Sequence, residues 1–378
     1  MRWIAIVAVL TLGGAQAGAA EESKEVGVAQ ETEKQEEREP VRMAIAGLTH
    51  THVHWVLGRE DRGDIEIVGI QESNRDLAGR YSRQHGFGMD LVYSDLEAML
   101  EAVKPEAVLA FNPINEHLKV VRAAAPRGIH VMVEKPLAAT LGQAREMARL
   151  AREHGILLLT NYETTWYGTT RESIKRVDEG ELGQLTKIIV RDGHPGPVAI
   201  GVNEEFLEWL IDPVRNGGGA LTDFGCYGAN LITRLMKGAR PSQVTAVTQQ
   251  LQPEHYPLVE DEATVILTYP GTQGIIQASW NWSYSRKDMD IYGRKGALRT
   301  VDGARMFVHR GEKKPQAMEA PRPQDPEDDP FAYLAAIIRG HLKPPPHNLS
   351  SLENNLIVME ILEAARRSAE SGRSIELR

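Results

Sequence analysis

From Val41 onward, hydrophobic and polar positions switch between two periods. Apolar-rich runs at Val41–Ala46, Ile65–Ile70, Ala107–Phe111, Ile129–Val133 and Ile156–Thr160, of which Ala107–Phe111 is continuously apolar, have the length of buried strands. Between them lie helical stretches: one after Gly47, one at Leu96–Val103 and one near Glu116–Ala124. Another is Leu141–Glu153, whose Leu141, Ala144, Ala148 and Ala151 share a face before Gly155 stops it. Strand and helix alternating over residues 41–162 predict parallel β-α units, hence a Rossmann-like, doubly wound α/β sheet.

Beyond Tyr162 the rhythm breaks. Helical stretches at Thr170–Val177 and Leu221–Met236 flank consecutive strands at Gln243–Gln250, Ala263–Tyr269, Gly274–Trp282, Asp288–Tyr292 and Leu298–Val301. Residues 163–378 are therefore expected to form an α+β domain with a large, mostly antiparallel open sheet covered by helices. The Pro- and charge-rich Arg310–Asp329 reads as a surface connection, and Leu352–Ser371 as a closing helix.

Composition changes this picture mainly at the N-terminus. Residues 1–20 have the form of a cleavable signal peptide: Arg2, an apolar stretch from Trp3 to Leu12, then small residues to Ala20. Residues 21–40 carry eight Glu against three Lys or Arg and read as an acidic, disordered linker. The expected destination is the periplasm or the cell exterior, with no stable membrane insertion once the signal is removed. Cys226 is the one cysteine, so no intrachain disulfide can form. The net charge of −9 with no basic stripe argues against a nucleic-acid partner.

Gly47-Leu48-Thr49-His50-Thr51-His52 occupies the turn where a dinucleotide fold carries Gly-x-Gly-x-x-Gly, and only the first glycine is kept. Gly47, Thr49 and His50 are the expected cofactor contacts in this loop. Glu72, at the end of the second strand, suits adenosine ribose hydroxyls and favours NAD, while Arg75 leaves NADP open. Asn112 follows the next strand and could reach ribose or nicotinamide; His117 reads equally as a cofactor contact or a packing residue. His50, His52 and His54 raise a metal reading, but i and i+2 point apart on a helix start, so no metal site is expected.

Glu134-Lys135-Pro136 places a lysine at a strand edge, and the run Gly217–Tyr227 opens a helix with Asp223 and Tyr227 at i and i+4. A phenol needs a nearby cation to act as a base near neutrality. Lys135 is expected to lower the Tyr227 pKa and Asp223 to orient a hydroxyl or the lysine.

These motifs, with Gly-Glu-Leu-Gly at Gly183, Tyr-Gly-Arg-Lys-Gly at Gly293 and Gly296, and the closing Ser368-Ala-Glu-Ser-Gly-Arg, resemble the glucose-fructose oxidoreductase/inositol dehydrogenase (Gfo/Idh/MocA) family. The likeness runs from Val41 to the C-terminus and, through Tyr227, points to its tyrosine-type branch. It implies an NAD(P)-dependent oxidoreductase moving hydride between a sugar-like or cyclic polyol carbon and nicotinamide. Lys135, Asp223 and Tyr227 would be catalytic, and Glu134 and Lys135 would lie beside the cofactor. Asn161, Tyr162, Trp166, His194, Trp209 and Asp212 would wall the substrate. A homo-oligomer is also expected. Two alternatives stand beside this reading: a redox-assisted glycoside-cleaving enzyme with catalytic NAD, and a cofactor-free carbohydrate-binding module.

Overall fold

The structure is a computed structural model that describes residues 39–377. The signal segment and most of the acidic linker lie outside the described residues. The first half runs β1 (Val41–Ala46), α1 (Val53–Leu57), β2 (Ile65–Gln71), α2 (Arg75–His85), β3 (Val92–Tyr93), α3 (Leu96–Val103), β4 (Ala107–Ala110), α4 (His117–Ala124), β5 (His130–Glu134), α5 (Leu141–His154) and β6 (Leu158–Asn161). All six strands are parallel, in the order β3-β2-β1-β4-β5-β6. Chain direction across the sheet reverses between β1 and β4, so the loops after these strands border the crevice where such folds bind ligands.

Helix boundaries follow local chemistry. Asp95 and Thr140 cap α3 and α5 through their side chains, and Gly155 closes α5 in the left-handed region. The sequence reading missed α2, although Asn74 caps it and Gly86 ends it, because its buried face is only Leu77, Ala78 and Tyr81. The helix expected after Gly47 shrinks to the five residues of α1.

The second half contributes α6 (Gly168–Asp178), β7 (Leu185–Gly193), α7 (Glu204–Leu210), α8 (Ala220–Asp223) and α9 (Gly225–Leu235). The strands β8 (Gln243–Gln249), β9 (Glu262–Tyr269), β10 (Thr272–Ser279), β11 (Arg286–Gly293), β12 (Ala297–Thr300), β13 (Arg305–His309) and β14 (Gln316–Glu319) follow. Then come α10 (Pro330–Ile338), α11 (Leu352–Ser371) and β15 (Ile375–Glu376). One nine-stranded sheet results, ordered β14-β13-β12-β11-β7-β10-β9-β8-β15.

Its central strand β7, unseen in the sequence, pairs parallel to β10 and antiparallel to β11. Thr186, Lys187 and Arg191 dilute its apolar run, yet Ile188, Val190 and Asp192 alternate inward. β14 and α10 were also missed. Helix α10 returns to the first half, where Phe331, Tyr333, Leu334 and Ala335 join the core formed by β1, β2 and α2.

Candidate active site

The catalytic set predicted from sequence assembles, though on a broken helix. Phe224, at φ −108° and ψ −31°, separates α8 from α9. Asp223 thus ends one helix and Tyr227 lies in the first turn of the next. The glycine run before them fits a tight passage: a Cβ on Gly219 would lie 1.8 Å from the Glu260 carbonyl oxygen.

Lys135, arriving from the end of β5, donates to the Asp223 carboxylate and, at 3.2 Å, to its backbone carbonyl. The other Asp223 oxygen accepts from Trp280 Nε1 at 3.0 Å. All three side chains are buried. Burial penalises both charges, but each holds the other: the Lys135 pKa is raised and the Asp223 pKa lowered.

Tyr227 differs from expectation. The Lys135 ammonium sits 5.3 Å from the ring centroid and is already paired with Asp223. Burial pushes the phenol well above its ordinary range, and the nearby Glu163, Cys226 and Asp223 push it the same way. The resting phenol is neutral. Cys226, expected to be a packed residue, is buried with its thiol pushed up to about 12 by desolvation, so it is no nucleophile.

Residues missed by the sequence reading complete the site. Lys287 on β11 lies 4.7 Å from the Tyr227 ring centroid and pairs with Glu163, which also accepts from Tyr167. Strand register sets Lys287 directly opposite Asp192 on β7. Asp192 is buried with neither carboxylate oxygen hydrogen-bonded, and burial raises its pKa well above the ordinary carboxylate value against the opposing pull of Lys287. An acid ending the Lys187–Val190 run was its only signal. Glu163, His194, Phe224, Arg286 and Lys287 line a cavity of about 390 Å³ beside these groups.

Of the six proposed substrate walls, His194 borders this cavity. Asn161 and Tyr162 support the set from behind: Asn161 donates to Glu134 at 2.8 Å, and the Tyr162 ring meets Tyr227 edge-on at 5.4 Å. Trp166 packs on Tyr333. Trp209 packs on His50, and Asp212 caps a turn by accepting from the Val214 and Arg215 amides. Packing and turn formation thus occupy these last three.

The glycine-poor loop is also rearranged. Gly47, at φ +80°, makes the tight turn, and a Cβ there would lie 2.7 Å from the Asn112 Cβ. Leu48 N–H donates to Glu72 at 3.0 Å and His50 N–H to the Phe111 carbonyl at 2.8 Å. His52 N–H donates to His50 Nδ1 at 3.1 Å. The second Glu72 oxygen accepts from Asn74 N–H at 2.8 Å. Thr49 is only half-buried, its hydroxyl 3.5 Å from the Phe111 carbonyl.

Contrary to the helix-start expectation, His50 and His52 converge. Their ring centroids are 4.6 Å apart, and His52 Nδ1 lies 2.9 Å from Glu134. Burial opposes ionisation of Glu134, yet both imidazoles and the hydrogen bonds from His52 and Asn161 hold its carboxyl at about 2.

His117 takes the packing alternative. It is buried, with Nδ1 3.1 Å from the Leu137 carbonyl, and desolvation lowers its pKa to about 4. Because the unfolded imidazole titrates near 6.5, the unfolded chain takes up that proton first on acidification. His117 should therefore cost stability as pH falls from about 6.5 to about 4, by roughly 3 kcal/mol in all. Urea unfolding at stepped pH checks this: His117→Gln should flatten the slope in that window, and an unchanged slope would acquit the residue.

Residues 41–162 match the family described as "Oxidoreductase family, NAD-binding Rossmann fold", and residues 170–299 match the "GFO/IDH/MocA C-terminal domain". The chain belongs to the Gfo/Idh/MocA oxidoreductases. Among relatives of this Gfo/Idh/MocA protein, the D-glucoside 3-dehydrogenase of Escherichia coli (strain K12) is 24% identical over 364 residues, covering 89% of this chain and 98% of that one. An inositol dehydrogenase homolog from Azotobacter vinelandii, solved with NAD+, superposes with a TM-score of 0.78 at 19% identity, over 90% of this chain and 98% of that one. The aldose-aldose oxidoreductase of Caulobacter crescentus, complexed with glycerol, gives 0.75 at 21%, over 89% and 100%.

The first half of this chain is thus an NAD-binding Rossmann domain. Its residues suit the dinucleotide at one end. Lys135 and the buried, unpartnered Asn112 Oδ1, which lies against Gly47, offer polar atoms on the crevice side of the sheet. In the loop that would meet a pyrophosphate, the Leu48, His50 and His52 amides donate to Glu72, Phe111 and His50. Helix α7 also covers the loop, with the Phe206 and Trp209 rings 4.9 and 5.7 Å from His50. Glu205 on α7 accepts from Tyr81 and Arg80, and Asn203 donates to the Tyr81 hydroxyl at 2.9 Å.

A dinucleotide reaching this loop would have to displace these contacts. Glu205→Gln, weakening them by about 1 kcal/mol, should raise NAD affinity roughly fivefold in calorimetric titration. Unchanged affinity would show that α7 does not compete.

Proposed function

We propose that this protein is an exported, tyrosine-type oxidoreductase acting on a CH–OH group of a sugar or cyclic polyol, with NAD preferred and NADP possible. The observation that carries the reading is the buried Lys135–Asp223 pair facing Tyr227 beside a 390 Å³ cavity walled by Glu163, His194, Arg286 and Lys287. Such a wall suits a small polyhydroxylated ligand that needs both donors and acceptors. Nicotinamide, when bound, supplies the hydride acceptor or donor. Asp223 and Trp280 hold Lys135 so that its ammonium can meet the substrate oxygen. Tyr227, a neutral phenol at rest, gives its proton to that oxygen when a carbonyl is reduced; in the oxidation direction it must first release that proton to solvent, and the tyrosinate then takes the substrate hydroxyl proton.

Support for the substrate class comes from relatives named for glucosides, aldoses and inositol. Export rests on the form of residues 1–20. A homo-oligomer through the open face of the nine-stranded sheet is part of the proposal. Burial alternates along β9 and β10, leaving one face partly open.

The test is to purify mature protein without added nucleotide, denature it, identify any released nucleotide by mass, and then screen sugars and polyols for NADH formation. Binding of neither NAD nor NADP, with sugar binding retained, would overturn the enzyme in favour of a cofactor-free binding module.

A second reading, oxidation-elimination-reduction of a glycoside, is favoured by Asp192. A buried carboxyl opposite Lys287, with neither oxygen hydrogen-bonded, is one acid-base group more than hydride transfer requires. Glycoside cleavage with catalytic NAD and no net NADH would select it.

A further inference from the structure

The geometry points to a site for a first-row divalent cation, zinc-like in its ligand set, formed by His50, His52 and Glu134. This inference does not rest on the redox reading above.

Each residue offers one ligand atom, and the three atoms lie within 4.8 Å of one another. The Glu134 oxygen is 2.9 Å from His52 Nδ1 and 3.9 Å from His50 Nε2. A tetrahedral zinc with bonds of about 2.0–2.1 Å keeps its ligand atoms roughly 3.4 Å apart, midway between these values. Side-chain adjustments that draw the two imidazole nitrogens, now within 4.8 Å of each other, around one centre would close the shell on three ligands, with water or a ligand oxygen in the open position. Two imidazoles and one carboxylate form a recurring set for catalytic zinc.

Two further observations separate this from a simple hydrogen-bonded cluster. First, His50 Nε2 is buried with no partner and aimed at Glu134 across a gap too long for a hydrogen bond. Second, Lys135 is committed to Asp223, so among the described residues the buried Glu134 carboxylate faces the two imidazoles and the Asn161 amide, with no lysine or arginine partner. A divalent ion would give the orphan nitrogen a partner and draw all three side chains to one centre.

The surroundings hold the ligands in place. His52 stacks on Trp55 at 3.8 Å, His50 packs against Phe206 and Trp209, and Asn161 orients Glu134. The His52 side chain keeps 15% exposure, which opens the site to solvent. Binding at His50 Nε2 moves the ring proton to Nδ1, so the contact from the His52 amide must give way. That is a local adjustment in a loop.

Untagged protein, stripped with chelator and dialysed, should take up one equivalent of zinc. With cobalt(II) it should develop the visible bands of low-coordinate cobalt. His52→Gln, at the most exposed of the three ligands, and Glu134→Gln, which keeps size and removes charge, should each abolish both signals while far-UV circular dichroism stays unchanged. Absence of stoichiometric uptake by the wild-type protein would overturn the proposal. So would uptake that survives in folded His52→Gln protein, since the metal would then lie elsewhere.

Discussion

Tyr227→Phe is expected to fold normally and to lose about a hundred- to ten-thousand-fold in turnover, the range associated with removing a positioned acid–base group. The ring is buried and in edge contact with Tyr162 at 5.4 Å, and phenylalanine keeps those contacts. Only the hydroxyl is removed, and with it the phenolic proton carrier on the α9 turn beside the Lys135–Asp223 pair. The loss should fall on kcat more than on KM, because the proton moves only in the transition state. Stopped-flow turnover with the best substrate, beside a thermal melt, gives the answer. Turnover within a few-fold of wild type would remove Tyr227 from the chemistry and leave Asp192 or Lys287 as the proton carrier.

The second large effect is on stability. Lys135→Met leaves the Asp223 carboxylate buried with only Trp280 Nε1 as a hydrogen-bond donor to its side chain. Removing one partner of a buried pair costs about 3–5 kcal/mol, chiefly through the charge left behind. Adding Asp223→Asn to that variant should restore most of the loss, since asparagine is neutral and can still accept from Trp280. Urea unfolding of the two single variants and the double variant completes the cycle. A double variant no more stable than Lys135→Met would show that the pair serves packing rather than charge balance. Activity should be lost in all three, which separates the ammonium's chemical role from its structural one.

Much of the first half was legible from the chain itself. β1 and α3 fall on the predicted residues because burial on both faces and side-chain caps are written within a few positions. Lys135, Asp223 and Tyr227 were legible through the resemblance of their motifs taken together, since each segment alone also suits a surface, capping or packing residue. The covering role of α7 was not legible, because Phe206 and Trp209 meet His50 more than 150 residues away along the chain. Nor was the charge state of Tyr227, which depends on how completely neighbouring elements exclude water.

The sequence by itself determined the β-α alternation, the family and three side chains that the fold brings together at the candidate site. Tertiary structure decided what those groups can do. It set Lys287 opposite Asp192 through strand register, turned Glu72 onto a loop amide, and bent His50 and His52 towards one carboxylate. The physical reason is range. Capping, periodicity and burial act within a turn or a strand and leave their mark in adjacent residues. Charge pairing and ligand geometry depend on atoms that meet only after the chain has closed over long separations.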